Sequence, residues 1–241
     1  MSTGAPHLYP CVILPGYLAA ASDYWRLQEQ LEARGRPTRI VPLQVRSWFP
    51  TLGGRSVAPI LHQLQATIHR IQAEQGVEKI NLIAHSAGGW IARIFLGDVP
   101  YFDECWSGRH QIATLITLGT PHTSCERWTR RNLDFVNSHY PGAFWPEIKY
   151  VCVAGTAISG RRLPWTALGT AAARSTWLAY NSYRQTAGEG EICGDGITPV
   201  AAAHLEGAVN ITLGQVYHSP RGGDRWYGSP DVLPHWLPYL R

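Results

Sequence analysis

The sequence predicts an α/β fold in which a mostly parallel central sheet is flanked by helices. Short apolar runs, such as those at residues 11–14 and 80–84, are typical of strands that are buried on both faces. Amphipathic stretches of helical spacing separate these runs, and this alternation is typical of parallel sheets with helical crossovers. The 241 residues are 45% hydrophobic and 16% charged, so residues 1–241 are predicted to form a single globular domain.

Six apolar runs are predicted to be strands. The first ends at a Pro-Gly pair, the third stops abruptly at a histidine and a serine, and the last three resemble strands that are buried on both faces. Their predicted bounds are residues 11–16, 38–43, 79–84, 112–119, 148–155 and 208–213.

Helices are predicted between these strands. The first begins at Ser22 as N-cap and runs towards Gly35. Residues 56–75 carry Ile and Leu at helical spacing and end before a glycine, and residues 88–97 form the helix after the third strand. In the C-terminal segment, residues 229–240, two internal prolines are expected to shorten or distort any helix.

The formal net charge of +4 comes from scattered basic residues and not from a Lys/Arg block. A scattered distribution is typical of a solvated surface, so nucleic acid is not expected as a partner. The sequence gives no indication of the oligomeric state.

The cysteines and the N-terminus indicate a location. Cys11 and Cys152 lie in apolar runs, where a buried reduced thiol is expected. The first ten residues lack the features of a signal peptide, and no apolar stretch reaches the roughly 20 residues that span a bilayer. We therefore expect a cytoplasmic protein, with peripheral membrane contact left open.

The third strand runs into the motif AHSAG, residues 84–88, at a predicted strand-to-helix turn. Ligand sites of parallel sheets lie beyond the carboxyl ends of the strands. A sharp turn there exposes a serine hydroxyl, but it needs small residues two positions before and after the serine. Gly88 meets this need, whereas Ala84 adds one methyl to the usual G-x-S-x-G pattern. Ser86 is thus the predicted nucleophile.

An oxyanion formed at Ser86 needs two backbone N–H donors. The first is predicted to be the N–H of Ala87. The first strand exits into LPGYLA, where Gly16 allows a close turn, and the N–H of Tyr17 is the second candidate. The alternative is a Pro-Gly turn whose tyrosine is merely packed.

The acid and base of a serine triad should follow in the order Asp or Glu, then His. Asp195, in CGDGITPV, comes after the next-to-last predicted strand, residues 148–155, and is the candidate acid. Asp224 comes too late for this order. The remaining aspartates fall at predicted helix starts, surface turns or a polar helical stretch; they are Asp23, Asp98, Asp103, Asp134 and Asp231.

His218 follows the last predicted strand and is the candidate base, with His204 as its competitor. The side chain of His85, next to the nucleophile, should point away from the position of a general base. His122 is expected to shape the site without taking part in the chemistry. No histidine spacing indicates a catalytic metal, and no cofactor is predicted.

These motifs together resemble the α/β-hydrolase family, in its lipase-like branch. LPGYLA, LIAHSAGG, LITLGTPH, GDGITPV and VYHSP occur in the family's order, from about residue 10 to 220. LGTPH and the G-D-G-x-x-P run resemble lipases related to GPI inositol-deacylases and lecithin–cholesterol acyltransferase, and the arrangement is similar to hydrolases of cyanobacteria and plant plastids. The resemblance implies Ser86 as nucleophile, His218 as base, Asp195 as its orienting acid, and Tyr17 and Ala87 as oxyanion donors.

A cap insertion is predicted around residues 120–190, with residues 156–190 as the lid. The segment is rich in aromatic residues mixed with arginines, which suits an acyl chain with an anionic or carbonyl-bearing head. The alternative is a cap whose aromatic residues only pack against each other. The aromatic residues are Trp128, Phe135, Phe144, Trp145, Trp165, Trp177 and Tyr180.

The expected function is a serine carboxylic-ester hydrolase, a lipase or esterase, that acts on a lipid-like acyl ester. An acyl thioesterase or acyltransferase with the same triad is the alternative enzyme. A catalytically silent hydrolase fold that binds a lipid or a partner protein is the third hypothesis, and it requires the serine and the histidine to lie beyond hydrogen-bond reach.

Overall fold

A computed structural model describes residues 8–220 and 225–241, without the side chain of Trp128. Residues 1–7, which belong to the segment considered above for a signal peptide, and Asp224 lie outside this range.

The core of the fold is a six-stranded sheet in which all neighbouring strands are parallel, as predicted. Its order is β2-β1-β3-β4-β5-β8. The strands are β1 (Cys11–Leu14), β2 (Thr38–Ile40), β3 (Ile80–His85), β4 (Ile112–Leu118), β5 (Lys149–Thr156) and β8 (Val209–Gly214). A separate antiparallel pair is formed by β6 (Ile158–Ser159) and β7 (Cys193–Gly194).

Helices cover both faces of the sheet. They are α1 (Trp25–Glu32), α2 (Ala58–Gln75), α3 (Ala87–Leu96), α4 (Arg127–His139), α5 (Ala171–Ala187) and the short α6 (Val200–Ala203). None of the helices within the described residues is long and apolar enough to cross a bilayer.

Alternate residues of each central strand enter two separate apolar clusters. Val12 and Leu14 of β1 face the cluster that includes α2 and α3, whereas Cys11 and Ile13 face the cluster of α1 and the C-terminal segment. Burial on both faces explains why these strands are continuous apolar runs instead of alternating ones. Cys11 and Cys152 are buried, as predicted.

Two predicted boundaries differ from the structure. The first helix is preceded by a 3₁₀ turn, Ala21–Tyr24, in which Ser22 is an internal residue and not an N-cap. Asp23 of this turn accepts a hydrogen bond from the Ala20 N–H, the capping role expected for it. The second strand ends at Ile40; the Val41 N–H still donates to Ile13 O at 2.9 Å, but the Leu43 N–H turns back to Val41 O.

The last strand, β8, is an edge strand and not a strand buried on both faces. It pairs with β5 alone, and Leu213 is its single buried residue. In the C-terminal segment, Pro234 and Pro238 restrict helical structure to two 3₁₀ turns, Leu233–His235 and Leu237–Tyr239, as the prolines predict.

The strand order reverses between β1 and β3. The chain leaves β1 towards β2 on one side of the sheet, and it leaves β3 towards β4 on the other side. The loops that follow β1 and β3 therefore diverge and open a crevice at the carboxyl edge, the usual ligand position in such sheets. Leu14 lies opposite Ala84, so the loop after β1 is level with Ser86.

Candidate active site

Ser86 stands at the tip of the turn between β3 and α3, as predicted. Its φ of 52° and ψ of −128° are uncommon for a residue with a side chain, and such backbone strain costs about 1–3 kcal/mol. Three hydrogen bonds hold the turn: the Ser86 N–H donates to Leu118 O at 2.9 Å, and Ser86 O accepts from Thr120 Oγ1 at 2.8 Å and from Gly89 N at 3.0 Å. The strained conformation is thus fixed by the neighbouring strand and helix.

The two small residues of the motif have different roles. A Cβ at Gly88 would lie 2.8 Å from Leu14 O, so glycine is required at this position. Ala84 is fully buried in β3 between Leu14 and Thr117, and its methyl group belongs to the apolar cluster beneath α3. The alanine is therefore accommodated because its methyl group packs within this apolar cluster.

Ser86, His218 and Asp195 form a continuous hydrogen-bonded series. Ser86 Oγ lies 3.0 Å from His218 Nε2, and His218 Nδ1 lies 2.7 Å from Asp195 Oδ2. The Asp195 side chain is fully buried, and that of His218 is 11% exposed. These three residues, each predicted from the segment after a different strand, are thus brought together. They have the relative positions of a nucleophile, a base and an orienting acid.

Every lone-pair direction of the Asp195 carboxylate is used. Oδ1 accepts hydrogen bonds from the backbone N–H groups of Ile197 at 2.9 Å and Thr198 at 2.7 Å. Oδ2 accepts from His218 and from the Tyr227 hydroxyl at 2.7 Å. Burial alone would raise the pKa of Asp195, but the charge and hydrogen bond of His218, with those of Thr198 and Tyr227, hold this pKa below its ordinary value. The carboxylate is therefore ionised at neutral pH.

Two glycines provide the space for this buried carboxylate. A Cβ at Gly119, whose φ is +57°, would lie 2.6 Å from Asp195 Oδ2. A Cβ at Gly155 would lie 2.2 Å from Val216 O and 3.1 Å from Asp195 Cβ. Gly119 belongs to the LGTPH motif, so the glycine of that motif has a steric role beside the acid.

The loop after β1 lies directly against Ser86. A Cβ at Gly16 would be 2.8 Å from Ser86 Cβ, and the Gly16 N–H is already donated to the Tyr24 hydroxyl at 2.9 Å. Gly16 O accepts from Ala19 N at 3.1 Å, which closes a turn over Tyr17 and Leu18. The Tyr17 N–H takes no part in that turn.

The position of this loop is fixed by a buried tryptophan. Trp48 Nε1 donates to Ala19 O at 3.0 Å, and the rings of Tyr17 and Trp48 meet edge-on with centroids 5.1 Å apart. Within the described part of the chain, the backbone N–H groups of Tyr17 and Ala87 make no hydrogen bond to protein. Both candidate donors thus flank Ser86, and their role at an oxyanion stays a prediction.

A small cleft opens at Ser86. Its volume is about 90 Å³, which is small for a long acyl chain. The lining residues are Gly16, Tyr17, Ala19, Tyr24, His85, Ser86, His218, Ser219 and Pro220.

The other histidines are not placed as bases. His204 is bonded to Thr212 at the edge strand, 3.1 Å from its hydroxyl. His122 is buried against Thr117 and Cys152 and does not line the cleft, so its expected role in shaping the site is limited to packing beneath it. Among the described residues, no group of three His, Cys, Asp or Glu side chains is arranged to hold a metal ion.

The hydrogen bonds of two tyrosine hydroxyls near the site were not predicted from the sequence. Tyr227 bonds to Asp195, and Tyr24 bonds to both Gly16 and His85. Tyr227 is 32 residues beyond its partner, and no local pattern indicates such a contact. The only available signal was the position of His85 beside the nucleophile; its two ring nitrogens are engaged by the Tyr24 hydroxyl and the His218 carbonyl oxygen.

The segment predicted as a cap contains α4, the β6–β7 pair and α5. Phe135 and Trp145 pack against the apolar cluster beneath α3, so these two aromatic residues belong to the domain core and not to a lid. Exposed aromatic side chains occur in both parts of the segment: Phe144 is 42% exposed, and Trp165 is 78% exposed with its ring 5.2 Å from that of Trp177. A lid role for residues 156–190 stays a prediction.

Helix α5 is anchored to the loop that carries the acid. Tyr183 is fully buried; its hydroxyl donates to Ile158 O at 3.0 Å and accepts from the Gly196 N–H at 2.8 Å. Ser182 donates to Ile197 O. Any movement of α5 would therefore reach the residues directly after Asp195.

The chain is similar in sequence to a described family and to named lipases. The family described as the PGAP1-like alpha/beta domain matches residues 18–140. Triacylglycerol lipases of Pseudarthrobacter phenanthrenivorans and Burkholderia plantarii are each 28% identical over 130 residues, or 52% of this chain. The match spans about a third of the length of these curated relatives, 36% and 32%.

Solved structures support the fold. The phospholipase PlaB of Legionella pneumophila aligns with 96% of this chain and 64% of its own at a TM-score of 0.59 and 13% identity. A gene product of Listeria innocua aligns with 97% of this chain and 94% of its own at a TM-score of 0.50 and 13% identity. With the family match covering residues 18–140, the chain belongs to the PGAP1-like alpha/beta domain family and has the fold of the lipase-like α/β hydrolases.

Proposed function

We propose that the protein is a serine carboxylic-ester hydrolase that forms an acyl-enzyme on Ser86. The observation that carries this proposal is the series from Ser86 Oγ through His218 to the buried Asp195, with separations of 3.0 and 2.7 Å. A hydroxyl group becomes an effective nucleophile when a base accepts its proton and a third group orients that base. These distances disfavour a catalytically silent binding protein, which would not need them.

The reaction begins when Ser86 Oγ attacks the ester carbonyl carbon while His218 Nε2 accepts the hydroxyl proton. The resulting oxyanion is stabilised by the N–H groups of Tyr17 and Ala87. The C–O bond to the alcohol then breaks, and His218 donates its proton to the leaving oxygen. Water, deprotonated by His218, attacks the acyl-enzyme and releases the carboxylic acid and free Ser86.

The substrate class is proposed to be a lipid-like acyl ester. Two relatives that are 28% identical in sequence are named triacylglycerol lipases, which supports an acyl ester in place of a peptide. Because the cleft at Ser86 holds only about 90 Å³, a long acyl chain would have to extend beyond it over exposed apolar residues such as Tyr17 and Leu18. Peripheral membrane contact and a cytoplasmic location stay predictions.

The test combines an active-site probe with ester hydrolysis. The wild-type protein should react with a fluorophosphonate probe and hydrolyse p-nitrophenyl butyrate, and Ser86→Ala should abolish the labelling and lower kcat by several orders of magnitude. Ser138→Ala is the matched control, since this exposed serine on α4 bonds only to backbone carbonyls of its own helix. Labelling that persists in Ser86→Ala would refute the proposed nucleophile.

A substrate series then tests the class. We expect hydrolysis of p-nitrophenyl esters and of a dispersed triacylglycerol, with free fatty acid as the product. Faster turnover of an acyl-CoA than of any oxygen ester would replace the lipase proposal by a thioesterase with the same Ser86 chemistry.

A further inference from the structure

A chain of buried hydrogen bonds links the two loops on either side of Ser86. The Gly16 N–H donates to the Tyr24 hydroxyl at 2.9 Å, and this hydroxyl lies 2.7 Å from His85 Nδ1. His85 Nε2 lies 2.9 Å from the backbone carbonyl oxygen of His218. The series begins next to the candidate oxyanion donor, Tyr17, and ends on the backbone of the candidate base.

The donor and acceptor of each hydrogen bond follow from which of the two groups can carry a proton. A carbonyl oxygen only accepts, so the proton between His85 and His218 must lie on His85 Nε2. Burial, followed by the charge of His218, lowers the pKa of His85 to about 3, so the ring is neutral at pH 7 and carries a single proton. His85 Nδ1 is then an acceptor, and the Tyr24 hydroxyl donates to it.

The sheet itself cannot connect these two loops. The Gly16 loop leaves β1 and the His218 loop follows β8, and three strands, β3, β4 and β5, separate β1 from β8. No strand ladder therefore fixes the distance between them. His85, at the end of β3, is placed between the two loops.

The backbone of His218 is held by hydrogen bonds on both sides of its Cα atom. Its N–H donates to Asp195 O at 3.0 Å, and its carbonyl oxygen accepts from His85. The rings of His85 and His218 also contact, with centroids 4.8 Å apart, and Trp226 packs edge-on against His85 at 5.8 Å. The His85 ring is thus closely confined, and the hydroxyl of Ser86 bonds to His218 Nε2 instead.

We propose that Tyr24 and His85 are positioning residues that hold the Gly16–Tyr17 loop and the His218 backbone at fixed positions on either side of Ser86. This inference rests on the proposed serine hydrolase function. The pair acts before any substrate binds: it fixes where the Tyr17 N–H and the His218 imidazole stand relative to Ser86 Oγ. A displacement of about 1 Å at such groups can lower the rate about 10²-fold.

The experiment uses three variants of the full chain. Tyr24→Phe removes the hydroxyl that joins Gly16 to His85, and His85→Phe removes both ring nitrogens while a ring of similar size remains. His85→Gln retains an amide donor that can reach the His218 carbonyl. The readouts are kcat and KM for p-nitrophenyl butyrate, the rate of fluorophosphonate labelling, and Tm.

Tyr101→Phe is the matched control. The Tyr101 hydroxyl is buried and, like that of Tyr24, accepts from a backbone N–H, that of Val57 at 3.0 Å, and donates to a side chain, Asn132 Oδ1 at 2.8 Å. It lies outside the cleft described at Ser86. The control therefore loses the same two kinds of hydrogen bond without affecting either loop.

We expect kcat to fall about tenfold in Tyr24→Phe and about 10²-fold in His85→Phe, with KM within about twofold of the wild type and labelling slowed in parallel. His85→Gln should recover part of the His85→Phe loss. Tyr101→Phe should lower Tm by a similar amount and leave kcat unchanged.

A different pattern would overturn the inference. If Tyr24→Phe and both His85 variants lower Tm but retain wild-type kcat, the hydrogen bonds serve stability alone. If His85→Phe does not fold, the kcat and Tm of Tyr24→Phe and His85→Gln distinguish a positioning role from a role in stability alone. A wild-type protein that neither reacts with the probe nor hydrolyses the ester refutes the proposed function itself, whereas an active, Ser86-dependent wild type with fully active variants refutes only the positioning role.

Discussion

Tyr227→Phe removes one oxygen atom from the surroundings of the acid. The Tyr227 side chain is fully buried, and its hydroxyl donates to Asp195 Oδ2 at 2.7 Å and accepts from the Gly155 N–H at 2.9 Å. A phenyl ring can occupy the same position and retain the apolar contacts. The expected effect is therefore limited to these two hydrogen bonds.

The size of the effect follows from the types of the two bonds. A hydrogen bond to a charged group contributes about 1.5–3 kcal/mol, and leaving the Gly155 N–H buried without an acceptor costs about 1 kcal/mol more. We expect the free energy of unfolding of Tyr227→Phe to fall by about 3 kcal/mol at pH 7. For a chain of this length, that change lowers Tm by about 6–12 °C.

The loss should depend on pH because the carboxylate titrates. The pKa of Asp195 is lower in the folded protein than the unfolded value of about 3.9, so its ionisation stabilises the fold above about pH 5. That stabilisation is lost as the pH falls through the folded pKa. Without the Tyr227 hydroxyl the folded pKa of Asp195 moves up towards the unfolded value, so the variant and the wild type should differ less at pH 3.5 than at pH 7.

Urea denaturation at the two pH values measures this difference. Tyr101→Phe loses two hydrogen bonds with uncharged partners, about 2 kcal/mol, and its effect should be the same at both pH values. The kcat of Tyr227→Phe should fall about tenfold or less, because Asp195 keeps its bonds from His218, Ile197 and Thr198. A destabilisation that is equal at pH 7 and pH 3.5 would show that the hydroxyl does not act on the Asp195 charge.

Three further substitutions test the neighbouring residues. Gly119→Ala places a Cβ 2.6 Å from Asp195 Oδ2 and should lower kcat about 10²-fold. Gly53→Ala is the control and should be active, because Gly53 has a similar positive φ but no atom lies within 4 Å of the new Cβ. Ester hydrolysis and Tm are measured for both variants. Asp195→Asn should lower kcat about 10⁴-fold with little change in KM, and activity within tenfold of the wild type would exclude the orienting role. Ala84→Gly should keep kcat within about twofold and lower the free energy of unfolding by about 1 kcal/mol in urea denaturation; a large gain in kcat would show that the alanine restricts the turn.

The sequence predicts well those parts of the protein that depend on periodicity and on chain order. Central strands such as β3 are buried on both faces and are therefore continuous apolar runs, and the triad candidates follow the strand ends, where parallel sheets collect their functional residues. Ser86, Asp195 and His218 were selected on these two grounds, and the structure brings them within hydrogen-bond distance.

The parts that were not predicted depend on contacts between distant residues. The hydroxyls of Tyr24 and Tyr227 bond to partners 61 and 32 residues away, and a tyrosine in an apolar segment has the same local pattern whether or not its hydroxyl reaches such a partner. The exposure of β8 has a similar cause: its apolar sequence does not show that it has a neighbour on one side only.

The position of β8 at the edge of the sheet also has a consequence for the order of folding. Ser86 and His218 are 132 residues apart, and the His218 loop is placed only when β8 has paired with β5. Pairing of parallel strands over such separations is slow, since the entropy of closing long loops must be overcome first. During refolding, the serine should therefore become reactive towards a fluorophosphonate only after most of the helical signal has returned, which makes the probe a reporter of the completed fold.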